Sequence, residues 1–166
     1  MARTGAAHVS GAAEPGAAAA GPAERHEFPA RLAMLAPAAT FVEQFCARHA
    51  VARNDALRLL LVLEELVTNT VVHGHGVECD APIAVQLLRT ADGVRVLYED
   101  TAPPFDPRPA MARADEPADV PRVVGGLGTR LVGRLAHEVR YAYVGGRNRV
   151  SLALACAEAT PKLQEG

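Results

Sequence analysis

The run Leu57-Arg58-Leu59-Leu60-Leu61-Val62-Leu63-Glu64-Glu65-Leu66-Val67-Thr68-Asn69-Thr70-Val71-Val72-His73 is the most informative stretch of the chain. Its first half is apolar almost all round, which predicts a central helix packed on more than one side. Asn54 or Asp55 is predicted to cap its start by accepting orphan N–H bonds, and Gly74 and Gly76 to end it. Glu65 and Asn69 lie four apart and therefore share one face. Two polar groups stacked on an apolar helix need partners, because each buried group left unpaired costs about 1–3 kcal/mol. An asparagine offers a neutral oxygen to a hard cation such as Mg2+. A carboxylate one turn away can orient or deprotonate an attacking hydroxyl. The structural alternative is a buried Glu–Asn hydrogen bond, or an exposed face near the helix end.

On the N-terminal side, Phe41, Val42, Phe45 and Cys46 mark a helix between Pro37 and His49, preceded by a short strand from His26 to Arg31. Residues 1–23 are rich in Ala and Gly without apolar periodicity and read as a disordered tail; the folded domain is placed at 24–157, with 158–166 as a C-terminal tail. On the C-terminal side, Pro82–Leu88 and Val94–Glu99 flank Ala91-Asp92-Gly93, the pattern of an antiparallel hairpin. Residues 101–125 are proline-rich and aperiodic, and loops above about 12–15 residues inside a compact domain are usually functional lids or disordered. Gly125-Gly126-Leu127-Gly128 then opens a helix with Leu131, Val132 and Leu135 on one face, followed by a hairpin of Val139–Val144 and Val150–Leu154. The predicted fold is an α+β two-layer sandwich, a mixed sheet with helices on one face.

Composition narrows the function. The chain has 166 residues, 49% hydrophobic and 22% charged, with a formal charge of -2. That length suits one domain with its own core. The near-neutral balance disfavours a broad nucleic-acid footprint. No window has the roughly 18–20 apolar residues of a membrane span, and Met1–Gly21 has no secretory pattern. Cys46, Cys79 and Cys156, odd in number and widely spaced, read as free thiols of a cytoplasmic protein rather than a disulfide framework.

Two further features carry chemistry. Asp100 ends a strand before Thr101-Ala102-Pro103-Pro104-Phe105-Asp106-Pro107, where an acidic group can accept from an exocyclic amine; a turn-forming Asp is the alternative. Gly125-Gly126-Leu127-Gly128-Thr129 at a helix start lets backbone N–H groups crowd an anion, aided by the helix dipole; a flexible glycine linker is the alternative. It follows a loop, so it is no dinucleotide fingerprint, and no Lys follows as in a P-loop. His73, His75 and Cys79 match no structural zinc pattern. Arg108, Arg113 and Arg122 of the loop can reach phosphates or remain solvated. The common hydrolase motifs are absent.

In order, Glu64 to His73, Glu99-Asp100 through Phe105-Asp106-Pro107, and Gly125-Gly126-Leu127-Gly128-Thr129-Arg130-Leu131-Val132 resemble the N box and the two glycine boxes of the histidine-kinase-like ATPases of the Bergerat fold. The tail from Glu138-Val139-Arg140-Tyr141 to Gly146-Arg147-Asn148-Arg149 adds to the likeness, which spans about residues 26–156. The branch it looks like is the anti-sigma-factor serine/threonine kinases of partner switching. By that resemblance the expected ligands are ATP and Mg2+, with Asn69 on Mg2+ and Glu65 as general base toward a serine hydroxyl. Asp100 would hold the adenine amino group. His73, Ala102, Phe105, Gly126, Leu127, Gly128 and Thr129 would complete the ATP site, and the 107–125 loop would close over it. Expected partners are a sigma factor and an anti-anti-sigma (STAS-type) antagonist, with homodimers common in the family. A non-catalytic ATP-binding module that holds a protein partner is the alternative. Two positions depart from the family pattern: Ala102 stands where glycine is usual, and Asn148-Arg149 where threonines are common. No helix with a phospho-accepting His precedes the domain, unlike a two-component sensor kinase.

Overall fold

A computed structural model describes residues 21–112 and 126–156. The expected tails before residue 21 and from 158, and the loop stretch 113–125 with Arg113, Arg122 and Gly125, lie outside these. The elements are β1 (Glu24–Pro29), α1 (Leu35–Arg48), α2 (Arg53–Thr68), β2 (Pro82–Arg89), β3 (Gly93–Asp100), α3 (Arg108–Met111), α4 (Gly126–Leu135), β4 (His137–Val144) and β5 (Arg147–Ala155). Among these residues no helix is long and apolar enough to cross a membrane.

The sheet runs β1-β2-β3-β5-β4. The α+β two-layer expectation holds, but the sheet is antiparallel at every pair rather than mixed. The connection through α4 carries the chain past one strand position to the far edge. The return arm of the last hairpin then fills the gap beside β3, so the one crossover makes no parallel pair. Side chains alternate with the strand period of two. Val85, Leu87, Val96, Tyr98, Val150 and Leu152 face the helices and are buried with Val42, Phe45, Leu59, Val62, Leu66 and Val132.

Helix α2 is the centre of the helical layer, between α1 and α4. Leu59, Val62, Leu63, Leu66 and Val67 recur at the three-and-four spacing and are buried, each contributing about 1.5–3 kcal/mol by leaving water. Leu57 and Leu61, equally apolar in sequence, face outward at 49% and 44% exposure. The predicted caps do not form: the N-cap position is Ala52, without a side-chain bond. Asp55 is instead buried and bonds Arg58 at 3.0 Å. Arg58 also donates to the carbonyls of Ala155 (2.9 Å) and Leu135 (3.1 Å), so one guanidinium joins α2 to the ends of β5 and α4. Past Thr68 the helix loosens into a π-helical turn, Asn69–His75, which Gly76 stops at a φ of 72°, a conformation glycine adopts without steric cost.

On the open face of the sheet, Glu99 is buried between two arginines. Arg25 donates at 2.9 Å and Arg149 at 2.8 Å from its Nε, linking β1 and β5 across β2 and β3. Burial pushes the carboxyl's pKa up, but the bonds from Arg25 and Arg149 outweigh it and hold the pKa below the ordinary value. A depressed carboxylate pKa adds stability that is present above the unfolded pKa and lost as pH falls through the folded one. Glu99→Gln is therefore expected to cost about 1 kcal/mol at pH 7, since both arginines are half-exposed. In urea unfolding at a series of pH values, the gap between the two proteins should close as pH falls below about 4.

Candidate functional site

One cavity of about 520 Å³ opens between the end of α2, the β3–α3 loop and α4. Asn69, Thr70, His73 and Gly74 line it from the π-helical turn, Asp100, Ala102 and Phe105 from β3 and its loop, and Thr129 from α4. Six residues singled out in the sequence thus meet there: Asn69, His73, Asp100, Ala102, Phe105 and Thr129. A π-helical turn displaces side chains relative to a regular helix and is frequent at functional sites.

Asn69 donates its Nδ2 to Thr129 Oγ1 at 3.2 Å. Its amide oxygen has no partner among the described residues and is one neutral oxygen that a hard cation could use; among those residues no cluster of three or more His, Cys, Asp or Glu is placed to hold a metal. Glu65 stands apart. It is half-buried, does not line the cavity, and its carboxylate packs on Gly128, where a Cβ would overlap it. Burial first, and then the charge of Glu64, raise its pKa. Gly126 and Leu127 lie in the first turn of α4. Arg108 is engaged by Asp106 at 2.7 Å.

Asp100 is buried at 6% exposure. Its Oδ1 accepts from the backbone N–H of Ala102 at 2.9 Å and from Asn148 Nδ2 at 2.8 Å, and its Oδ2 accepts from the Thr70 hydroxyl at 2.9 Å. The fully buried Tyr98 hydroxyl donates to Thr70 Oγ1 at 2.8 Å, completing a relay that ends on the carboxylate. A carboxylate has about four lone-pair sites. Three are filled, which leaves one on Oδ2.

Thr70, Tyr98 and Asn148 were not among the expected site residues. Tyr98 and Asp100 share a strand face by the period of two, and Thr70 follows Asn69, so helix and strand phase together were the available signal. Asn148 pairs with Asp100 in register, but these are strands that no turn joins, so no local signal sets that pairing. The departure at Ala102 also has a counterpart. Its methyl faces Gly74, where an added Cβ would come within 2.7 Å of it. The methyl absent from one wall of the cavity is thus present on the other.

A model of the histidine kinase-like ATPase domain matches residues 28–154, and the chain belongs to that family. It is similar in structure to the RsbU and RsbW domains of Rv1364c from Mycobacterium tuberculosis, with a TM-score of 0.60 and 15% identity over 84% of this chain. It spans about a third, 34%, of that longer chain. No curated protein matches it by sequence.

The Gly74–Ala102 contact is testable by a double-mutant cycle. Gly74→Ala alone should destabilise the fold by about 1–3 kcal/mol through overpacking, and Ala102→Gly in the same chain should recover most of that loss in urea unfolding.

Proposed function

We propose that this chain is an ATP-dependent anti-sigma factor serine kinase, which holds a sigma factor and phosphorylates a STAS-type antagonist to keep it captive. The observation that carries the reading is the meeting of Asn69, Asp100 and Thr129 around one cavity, in a chain of the histidine kinase-like ATPase family. Likeness to a structure that includes an RsbW domain supports the anti-sigma branch.

In this reading Asp100 accepts the adenine amine with its spare lone pair. Asn69 holds Mg2+ through the oxygen that Thr129 does not engage, and the first turn of α4 offers backbone N–H groups to the phosphates. Bound Mg2+ supplies charge neutralisation on the phosphate oxygens, and catalysis of phosphoryl transfer is mostly positioning and such stabilisation. Glu65 accepts the proton of the substrate serine. Its pKa, raised by burial and by the charge of Glu64, makes its carboxylate a stronger base than an exposed one. Because it acts deprotonated, transfer falls as pH drops through that raised value.

A second reading is favoured by one observation: the Glu65 carboxylate rests on Gly128, outside the cavity lining. If it stays there with nucleotide bound, the chain is an ATP-binding module that captures a protein partner without transferring phosphate.

Incubating the protein with Mg-ATP and a STAS-type antagonist should yield phosphoserine. Glu65→Gln should cut that rate by about 10²-fold or more while ATP affinity, read by calorimetry, stays within about threefold. ATP binding by the wild type without transfer would favour the module, and no nucleotide binding would remove both readings.

A further inference from the structure

Asn148 on β5 is 4% exposed and uses its whole amide. Nδ2 donates to Asp100 Oδ1 at 2.8 Å and to the carbonyls of Ala102 (3.0 Å) and Pro103 (3.2 Å). Oδ1 accepts the backbone N–H of Phe105 at 3.0 Å and the Tyr141 hydroxyl at 2.8 Å. One side chain therefore holds the Asp100 carboxylate and the loop that forms the cavity's next wall, and is itself oriented from β4.

We propose that Asn148 is a positioning residue that sets which nucleobase the cavity accepts, by fixing Asp100 so that its one spare lone pair meets a donor at the base's exocyclic position. The inference rests on the nucleotide reading of the cavity and deepens it. The amide N–H holds Oδ1 and the Thr70 hydroxyl holds Oδ2, so the carboxylate cannot rotate to present a different edge. A base with its amine at C6, as in adenine, then finds an acceptor. A base with an oxygen there, as in guanine, sets acceptor against acceptor and is rejected. The carboxamide, rather than a hydroxyl at this position, also reaches Ala102, Pro103 and Phe105. The loop and the base-reading group are thereby set together.

The test compares ATP and GTP binding by calorimetry in wild type, Asn148→Ala and Asn148→Asp, with thermal melting of each. Wild type should prefer ATP. Asn148→Ala should lose ATP affinity by about tenfold or more and keep GTP affinity within about threefold, so that discrimination collapses. Equal losses for both nucleotides would mean a merely structural role and overturn the proposal, as would an unchanged ATP/GTP ratio. Asn148→Asp decides the matter even if the alanine variant does not fold. It sets a second carboxylate, which has no N–H to donate, against Asp100. At pH 8 its ATP affinity should fall by about tenfold or more while its GTP affinity stays within about threefold; an unchanged ATP/GTP ratio would refute the inference. Absence of ATP binding by the wild type would instead fell the nucleotide reading itself, and this inference with it.

Discussion

A carboxylate taken out of water must have its charge answered by hydrogen bonds, and Asp100 is the group on which that constraint falls hardest. Its partners come from three separate elements: the π-helical turn through Thr70, its own loop through the Ala102 N–H, and β5 through Asn148. Leaving any one bond unmade exposes the others to the cost of a buried, partly satisfied charge. The helix end, the loop and the far hairpin are therefore placed relative to one another by a single side chain. The cavity is the space that arrangement leaves open.

The rest of the architecture serves the same end by apolar means. Packing of α2 between α1 and α4 delivers the π-helical turn to the end of β3, and the sheet order puts β5 beside β3, so that residue 148 faces residue 100. Had the sheet carried a parallel pair at this place, as the mixed-sheet expectation allowed, the hairpin's return arm would not have met Asp100. Glu99, next in sequence and pointing to the opposite face, is satisfied independently by Arg25 and Arg149. Two adjacent acids thus perform separate tasks on the two sides of one strand.

Legibility in the sequence followed the range of the signal. The hairpin around Asp92-Gly93 rests on short-range periodicity and forms as expected, whereas Glu65 and Asn69, read as one face from their spacing, part at the site, where Asn69 lines the cavity and Glu65 does not. Convergence of Asn69, Asp100 and Thr129 was accessible only through the resemblance, because no local rule relates positions that distant. What remained hidden depended on tertiary contact. The capping role expected of Asn54 or Asp55 yielded to the pairing of Asp55 with Arg58, a competition that propensity does not weigh. Ala102, a departure from the family pattern in sequence, has its counterpart across the cavity in Gly74, a contact that no local rule relates. Leu57 and Leu61 show the limit of hydrophobicity as a guide, since an exposed leucine has the same letter as a buried one.

Arg58 has a consequence for how such a chain can diverge. Its contacts with Ala155 and Leu135 are to main-chain oxygens, which any residue supplies. Substitution at 135 or 155 therefore leaves this joint between helix and sheet intact, and no pattern of paired changes among relatives would betray it. Only the arginine itself, with Asp55 beside it, would leave a trace under selection.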